Sequence, residues 1–228
     1  PDAMEEAWKL FRKTAYSSLY SYPRFTWQTV IPDQRRISKI DLSDDYLQAI
    51  RLYASCADEL KSSELYRNDL IEFVSYYVAA KAENFYKQAL KDDLENRVLA
   101  AQRNLQQTVD LLMDVDRLLA SHPLYRLEEW VELARNSGTT LQEKDAYEAN
   151  AKRLITSWGG IQEDYAARFW SGLIKDYYIP RIQLYFTKDR DKIREWEEQW
   201  ITSPWSNSTT PFDDPVKAAL NLIEKTNK

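Results

Sequence analysis

The fold is decided by residues 92–120, Asp92-Asp-Leu-Glu-Asn-Arg-Val98-Leu-Ala-Ala101-Gln-Arg-Asn-Leu105-Gln-Gln-Thr-Val109-Asp-Leu-Leu112-Met-Asp-Val115-Asp-Arg-Leu-Leu119-Ala120. Val98, Ala101, Leu105, Val109, Leu112, Val115 and Leu119 recur at steps of three and four, with Gln102, Arg103, Gln106 and Asp110 between them. Such spacing puts one apolar stripe on a long amphipathic helix. Residues 44–60 repeat the pattern with Leu47, Ile50, Leu52, Ala54, Ala57 and Leu60, and Ser43 is placed to cap that helix. Residues 64–90 predict a third helix, through Leu70, Phe73, Val74, Tyr77, Val78, Phe85 and Leu90.

Later helices announce their ends. Thr140 and Glu143 form a T-x-x-E capping box, so a helix is expected over about 141–158, stopped by Gly159-Gly160. Asp164 is placed to cap a following helix through Phe169, Leu173 and Tyr177, which Pro180 should kink, end or restart. Asp214-Pro215 reads as an N-cap followed by proline at the first helical position, opening a last helix to about Lys225. Residues 20–40 and 202–212 resist a helical reading, and 26–31 is the one plausible extended segment. The expectation is one all-α domain over 1–228, a bundle of about seven to nine helices.

Composition removes most function classes. The 228 residues carry 31 Lys+Arg against 36 Asp+Glu, a net charge of -5, so the chain has no basic footprint for nucleic acid. Four glycines and no G-x-G-x-x-G or P-loop leave no phosphate cradle, and no cofactor is implied. Cys56 and His122 are the sole cysteine and histidine, which excludes a disulfide framework and a Cys/His zinc site. No stretch has the roughly 20 apolar residues of a membrane span. The chain opens at Pro1 without a signal peptide, as a processed chain or a piece of a longer one would.

Acids are abundant, but Glu128-Glu129, Glu197-Glu198 and Asp44-Asp45 read as solvated helix faces rather than catalytic pairs. Trp8, Phe11, Trp27, Tyr53, Phe73, Tyr77, Phe85 and Trp130 stand where core packing accounts for them. One segment differs: Trp158-Gly-Gly-Ile-Gln-Glu-Asp164-Tyr165 sets two aromatics about a Gly-Gly loop. Flat rings on a loop between rigid helices can meet the C–H face of a sugar, or can close the core at a tight turn.

The order and spacing of several blocks resembles the C-terminal helical region of the α-N-acetylglucosaminidases of glycoside hydrolase family 89. These blocks are Tyr66-Arg-Asn-Asp-Leu-Ile, Leu118-Leu-Ala-Ser121, Trp130-Val-Glu-Leu-Ala-Arg, Ser157-Trp-Gly159, Asp164-Tyr-Ala166, Ser171-Gly-Leu173 and Asp176-Tyr-Tyr-Ile-Pro-Arg181. Ala167 and Ile182 depart from the residues usual in that family. The resemblance implies a domain that packs on a catalytic (β/α)8-type barrel of the same polypeptide and closes one side of its sugar pocket. The barrel would hold the two carboxylates that remove terminal α-linked N-acetylglucosamine with retention, so no catalytic residue and no metal ligand is expected here. Trp158 would stack on the sugar and Tyr165 would contact a hydroxyl; Asp164 would cap a helix and Arg181 would form an intradomain ion pair. The resemblance also implies an extracytoplasmic setting. The competing reading is a stand-alone helical module that receives a partner helix in a groove; an independent enzyme using a carboxylate pair ranks below both.

Overall fold

The computed structural model describes residues 2–16, 25–29, 44–157, 167–187, 189–206 and 208–226. Its helices are α1 (Asp2–Lys13), α2 (Asp44–Ala54), α3 (Ala57–Leu60), α4 (Glu64–Leu94), α5 (Val98–Leu119), α6 (Leu127–Asn136) and α7 (Leu141–Leu154). A π-helical turn at Ile174–Tyr178 then runs into α8 (Ile179–Phe186), followed by α9 (Ile193–Thr202) and α10 (Pro215–Thr226). Among the described residues an isolated bridge between Arg126 and Ser171 is the sole β-type pairing. The architecture is all-α, as the periodicity predicts.

The 31-residue α4 is the axis of the bundle. It buries Leu70, Val74, Val78 and Ala82 along one row, and Phe73, Tyr77 and Ala80 along another. A helix apolar on more than one side must be wrapped. Helices α5, α10 and α2 wrap it, and α1 packs on α2. The predicted stripe on α5 faces this axis, with Ala101, Leu112, Val115 and Leu119 buried, whereas Val98 at its first turn is exposed. Trp8, Phe85 and Trp130 pack at the margin of the core, and the other five aromatics assigned to it are buried. Helices α6 and α7 pair beside this centre, and α9 packs on both α7 and α8.

Caps hold where the sequence marks them. The Thr140 hydroxyl accepts from Glu143 N (3.2 Å) while the Glu143 carboxylate accepts from Thr140 N (3.0 Å). Asp214 Oδ1 accepts from Lys217 N (2.9 Å), with Pro215 first in α10. Pro180 falls in the first turn of α8, directly after the π-helical turn at Ile174–Tyr178, so it neither ends nor restarts the helix. Ser43, Gly159-Gly160 and Asp164 lie outside the described residues.

Three expectations are corrected. Residues 44–60 do not form one helix: the chain breaks at 55–56, where Ser55 Oγ (2.8 Å) and Cys56 Sγ (3.5 Å) both turn onto the Leu52 carbonyl. Residues 26–28 form a 3-10 turn rather than an extended segment, because the buried Glu83 carboxylate of α4 accepts from Thr26 N (2.9 and 3.0 Å) and from its hydroxyl. The third concerns the helix expected through Phe169. Residues 167–170 are not helical, and the helix starts only after Gly172. Asp116 of α5 accepts from Gly172 N (2.8 Å), Lys175 N (3.0 Å), Thr209 Oγ1 (2.6 Å) and Ser171 Oγ (3.3 Å). A carboxylate 56 residues away in sequence thus does the work of an N-cap, and Gly172 turns the chain with φ 83°.

Candidate functional site

Trp158 and Tyr165 lie outside the described residues. The structure describes the two stems that carry them, residues 152–157 on the way in and 167–170 on the way out. Two indoles bring the stems together. Trp130 of α6 donates its Nε1–H to the Ala151 carbonyl at the end of α7 (3.0 Å). Its ring also meets Trp170 of the outgoing stem, with centroids 6.0 Å apart. On the far side, Phe169 packs against Phe25 (5.8 Å) and Trp27 (6.3 Å), which stack on each other at 4.9 Å. Ile155 and Thr156 are buried, and Thr156 Oγ1 donates to the Lys152 carbonyl (2.7 Å).

Buried charge surrounds this frame. Arg181 is 1% exposed; its Nη1 donates to Glu197 Oε1 (2.9 Å), and Tyr177 Oη donates to the same oxygen (2.7 Å). This is the intradomain ion pair that the resemblance implies for Arg181. Its Nη2 reaches the Gln28 carbonyl (2.7 Å), and its guanidinium lies 4.7 Å from the Tyr177 ring centroid. A second buried cation, Lys152, pairs with Glu148 (3.0 Å) and donates to the carbonyls of Trp200 (3.0 Å) and Ser203 at the end of α9. Those carbonyls have no intrahelical partner and form the negative end of the helix dipole, so an ammonium is favoured there even when dry. Burial still pulls the Lys152 ammonium below the usual lysine range, with Glu148 opposing.

Asp176 is the titratable group in this region that the sequence reading used only as part of a motif. Burial is the main cause that pushes its carboxyl up to about 6, with the neighbouring Asp116 charge adding and Lys175 and Trp205 opposing. Trp205 Nε1 donates to its Oδ2 (3.3 Å). The signal that could have found it was its place in the Asp176–Arg181 block; its hydrogen-bond partner Trp205 comes 29 residues later. A carboxyl poised near neutrality is a functional candidate, but in this arrangement a hydrogen-bonded structural acid accounts for it.

Elsewhere, Asp69 and Glu72 on α4 are both pushed up by burial. Each is spent on a phenol: Tyr53 donates to Asp69 (3.1 Å), and Tyr125 serves Glu72. His122 is buried and its Nδ1 accepts from Leu124 N (3.0 Å), so it is a satisfied structural histidine. Among the described residues no group of three or more His, Cys, Asp or Glu could hold a metal ion, and no helix is long and apolar enough to cross a membrane.

Comparison with known proteins gives a consistent picture. The family model for the α-N-acetylglucosaminidase C-terminal domain matches residues 1–225. The α-N-acetylglucosaminidase of Homo sapiens is 30% identical over 154 residues, which is 66% of this chain and 21% of that protein. The family 89 glycoside hydrolase from Clostridium perfringens in complex with PUGNAc superposes with a TM-score of 0.81 at 21% identity, covering 97% of this chain and 29% of that one. A variant of that enzyme in complex with its substrate GlcNAc-α-1,4-galactose gives 0.82 over 98% and 29%, also at 21% identity. The chain therefore spans about a fifth of the curated relative and under a third of the solved ones. By this match over residues 1–225, the chain belongs to the α-N-acetylglucosaminidase C-terminal domain family.

Proposed function

We propose that this domain packs on the catalytic barrel of a retaining, exo-acting α-N-acetylglucosaminidase and completes one wall of its sugar pocket without performing the chemical step. The observation that carries the reading is the frame built about the 152–157 and 167–170 stems. Two paired indoles and two buried cations hold the ends of the segment bearing Trp158 and Tyr165. A rigid mount of that kind suits a loop that must present side chains at fixed positions. Trp158 stacks on the apolar face of the terminal N-acetylglucosamine, and Tyr165 contacts one of its hydroxyls. Their contribution is positioning and exclusion of water, while the acid/base pair belongs to the barrel.

The acids of this chain fit that division of labour. Asp69, Glu72, Asp116, Glu148 and Glu197 each accept from named groups of the fold, which favours a structural role over a pair flanking a glycosidic bond. Two assays test the reading. The isolated chain should not hydrolyse an aryl α-N-acetylglucosaminide, and a rate near that of a whole family 89 enzyme would refute the accessory role. In the full-length enzyme Tyr165→Phe should lower kcat/KM by about tenfold, the value of one good hydrogen bond at about 1.4 kcal/mol. An unchanged kcat/KM would remove Tyr165 from the pocket.

A further inference from the structure

Two sequence blocks that the sugar-pocket reading leaves unused meet at one cavity. Block 66–71 supplies Arg67, Asn68 and Ile71, and block 118–121 supplies Ser121; with Arg126 and Pro215 they line a space of about 260 Å³. Helix α4 begins at Glu64 and α10 at Pro215, so the positive ends of two helix dipoles abut this space. The cavity holds more donors than the fold uses. Arg67 Nη1 donates to the carbonyls of Lys61 and Ser62 (2.9 Å each), which fixes the guanidinium in place. Its Nε and Nη2 have no partner among the described residues, and it makes no ion pair there. The Asn68 amide has no partner among them either, and Ser121 Oγ is buried without one. A buried hydroxyl left unpaired costs free energy, so native folds keep one where something else satisfies it. Arg126, by contrast, is neutralised by Glu128 (2.5 Å) and Glu129 (3.2 Å). Glu64 is the one acid among the described lining residues, and it is exposed, where water and salt screen it.

We propose that this cavity binds a small oxyanion, a carboxylate, phosphate or sulfate group, through the Arg67 fork, the Asn68 amide and Ser121 Oγ. The open Nε–Nη2 edge of a guanidinium offers two parallel N–H bonds, which match two oxygens of such a group. The amide and the hydroxyl supply further donors beside it. With a water taking about 30 Å³, the space is larger than one bare anion needs, and Ile71 and Pro215 give it an apolar side. The ligand is therefore an oxyanion carried on a small molecule. None of these residues belongs to the proposed sugar pocket, so the site stands apart from that reading.

The test is isothermal titration of the full-length enzyme with acetate, inorganic phosphate and sulfate as sodium salts at fixed ionic strength. At least one should bind with a Kd in the millimolar range or tighter. Acetate binding tightest marks a site for a planar carboxylate; phosphate or sulfate binding tightest marks one for a tetrahedral group. Ser121→Ala deletes only the unpartnered hydroxyl and should weaken that binding about fivefold, and Asn68→Leu about tenfold. Arg67→Gln should abolish it. Because Arg67 also ties down the turn at Lys61 and Ser62, the other two variants keep the proposal falsifiable should Arg67→Gln fold poorly. No binding of any of the three anions, or binding equally strong in Ser121→Ala and Asn68→Leu, overturns the site. Binding that excess N-acetylglucosamine displaces also overturns it, since the anion would then sit in the sugar pocket.

Discussion

At Gly172, φ is 83°, and a Cβ would sit 3.1 Å from Leu127 Cβ and 3.3 Å from the Trp205 ring. Both the backbone and the space demand glycine, so Gly172→Ala should cost about 1–3 kcal/mol, measured by denaturant unfolding. Four residues on, Asp176 makes a pH-dependent contribution. Burial holds its carboxyl at about 6 in the fold, above the 3.8 of an ordinary aspartate. The native state therefore binds more protons than the unfolded chain between these values, and stability falls as pH rises through about 6. Asp176→Asn should raise stability by about 1–2 kcal/mol at pH 8, with the gain vanishing near pH 4, in thermal melts across that range. Not every residue was legible from sequence alone. Asp214 and Thr140 announced their caps because the partner N–H groups lie three residues away. Lys152 carries no such local signal, since the carbonyls of Trp200 and Ser203 that receive it come 48 and 51 residues later.

Among elements, α7 is the clearest test of local reasoning. Its capping box was readable and is present, and Thr140→Ala should cost about 1 kcal/mol of stability in equilibrium unfolding. Its end was less readable: the helix stops at Leu154, before the Gly-Gly pair expected to stop it. The same limit explains the two helix errors. Nothing in the periodicity of 44–60 marks the break at Cys56, because apolar spacing continues through it. The helix expected through Phe169 begins only after Gly172, where Asp116 captures the backbone N–H groups. Interactions within a turn are visible in a sequence; those between elements are not.

Across the whole molecule, fold class was legible because long 3.6-residue periodicity admits few alternatives, and α4 and α5 between them supply the axis. The frame about residues 152–157 and 167–170 was not, since it is assembled from α6, α7, α8, α9 and the 25–29 turn, which lie far apart in the chain. A domain that carries Trp158 to a sugar, as proposed, should remain folded when that ring is removed. The decisive measurement is kcat/KM of Trp158→Ala in the full-length enzyme, taken with its circular dichroism. A loss of about tenfold or more, roughly 1.4 kcal/mol of transition-state binding, is expected, with the helical signal and melting unchanged. Undiminished kcat/KM, or a collapsed domain in place of a folded one, would contradict it.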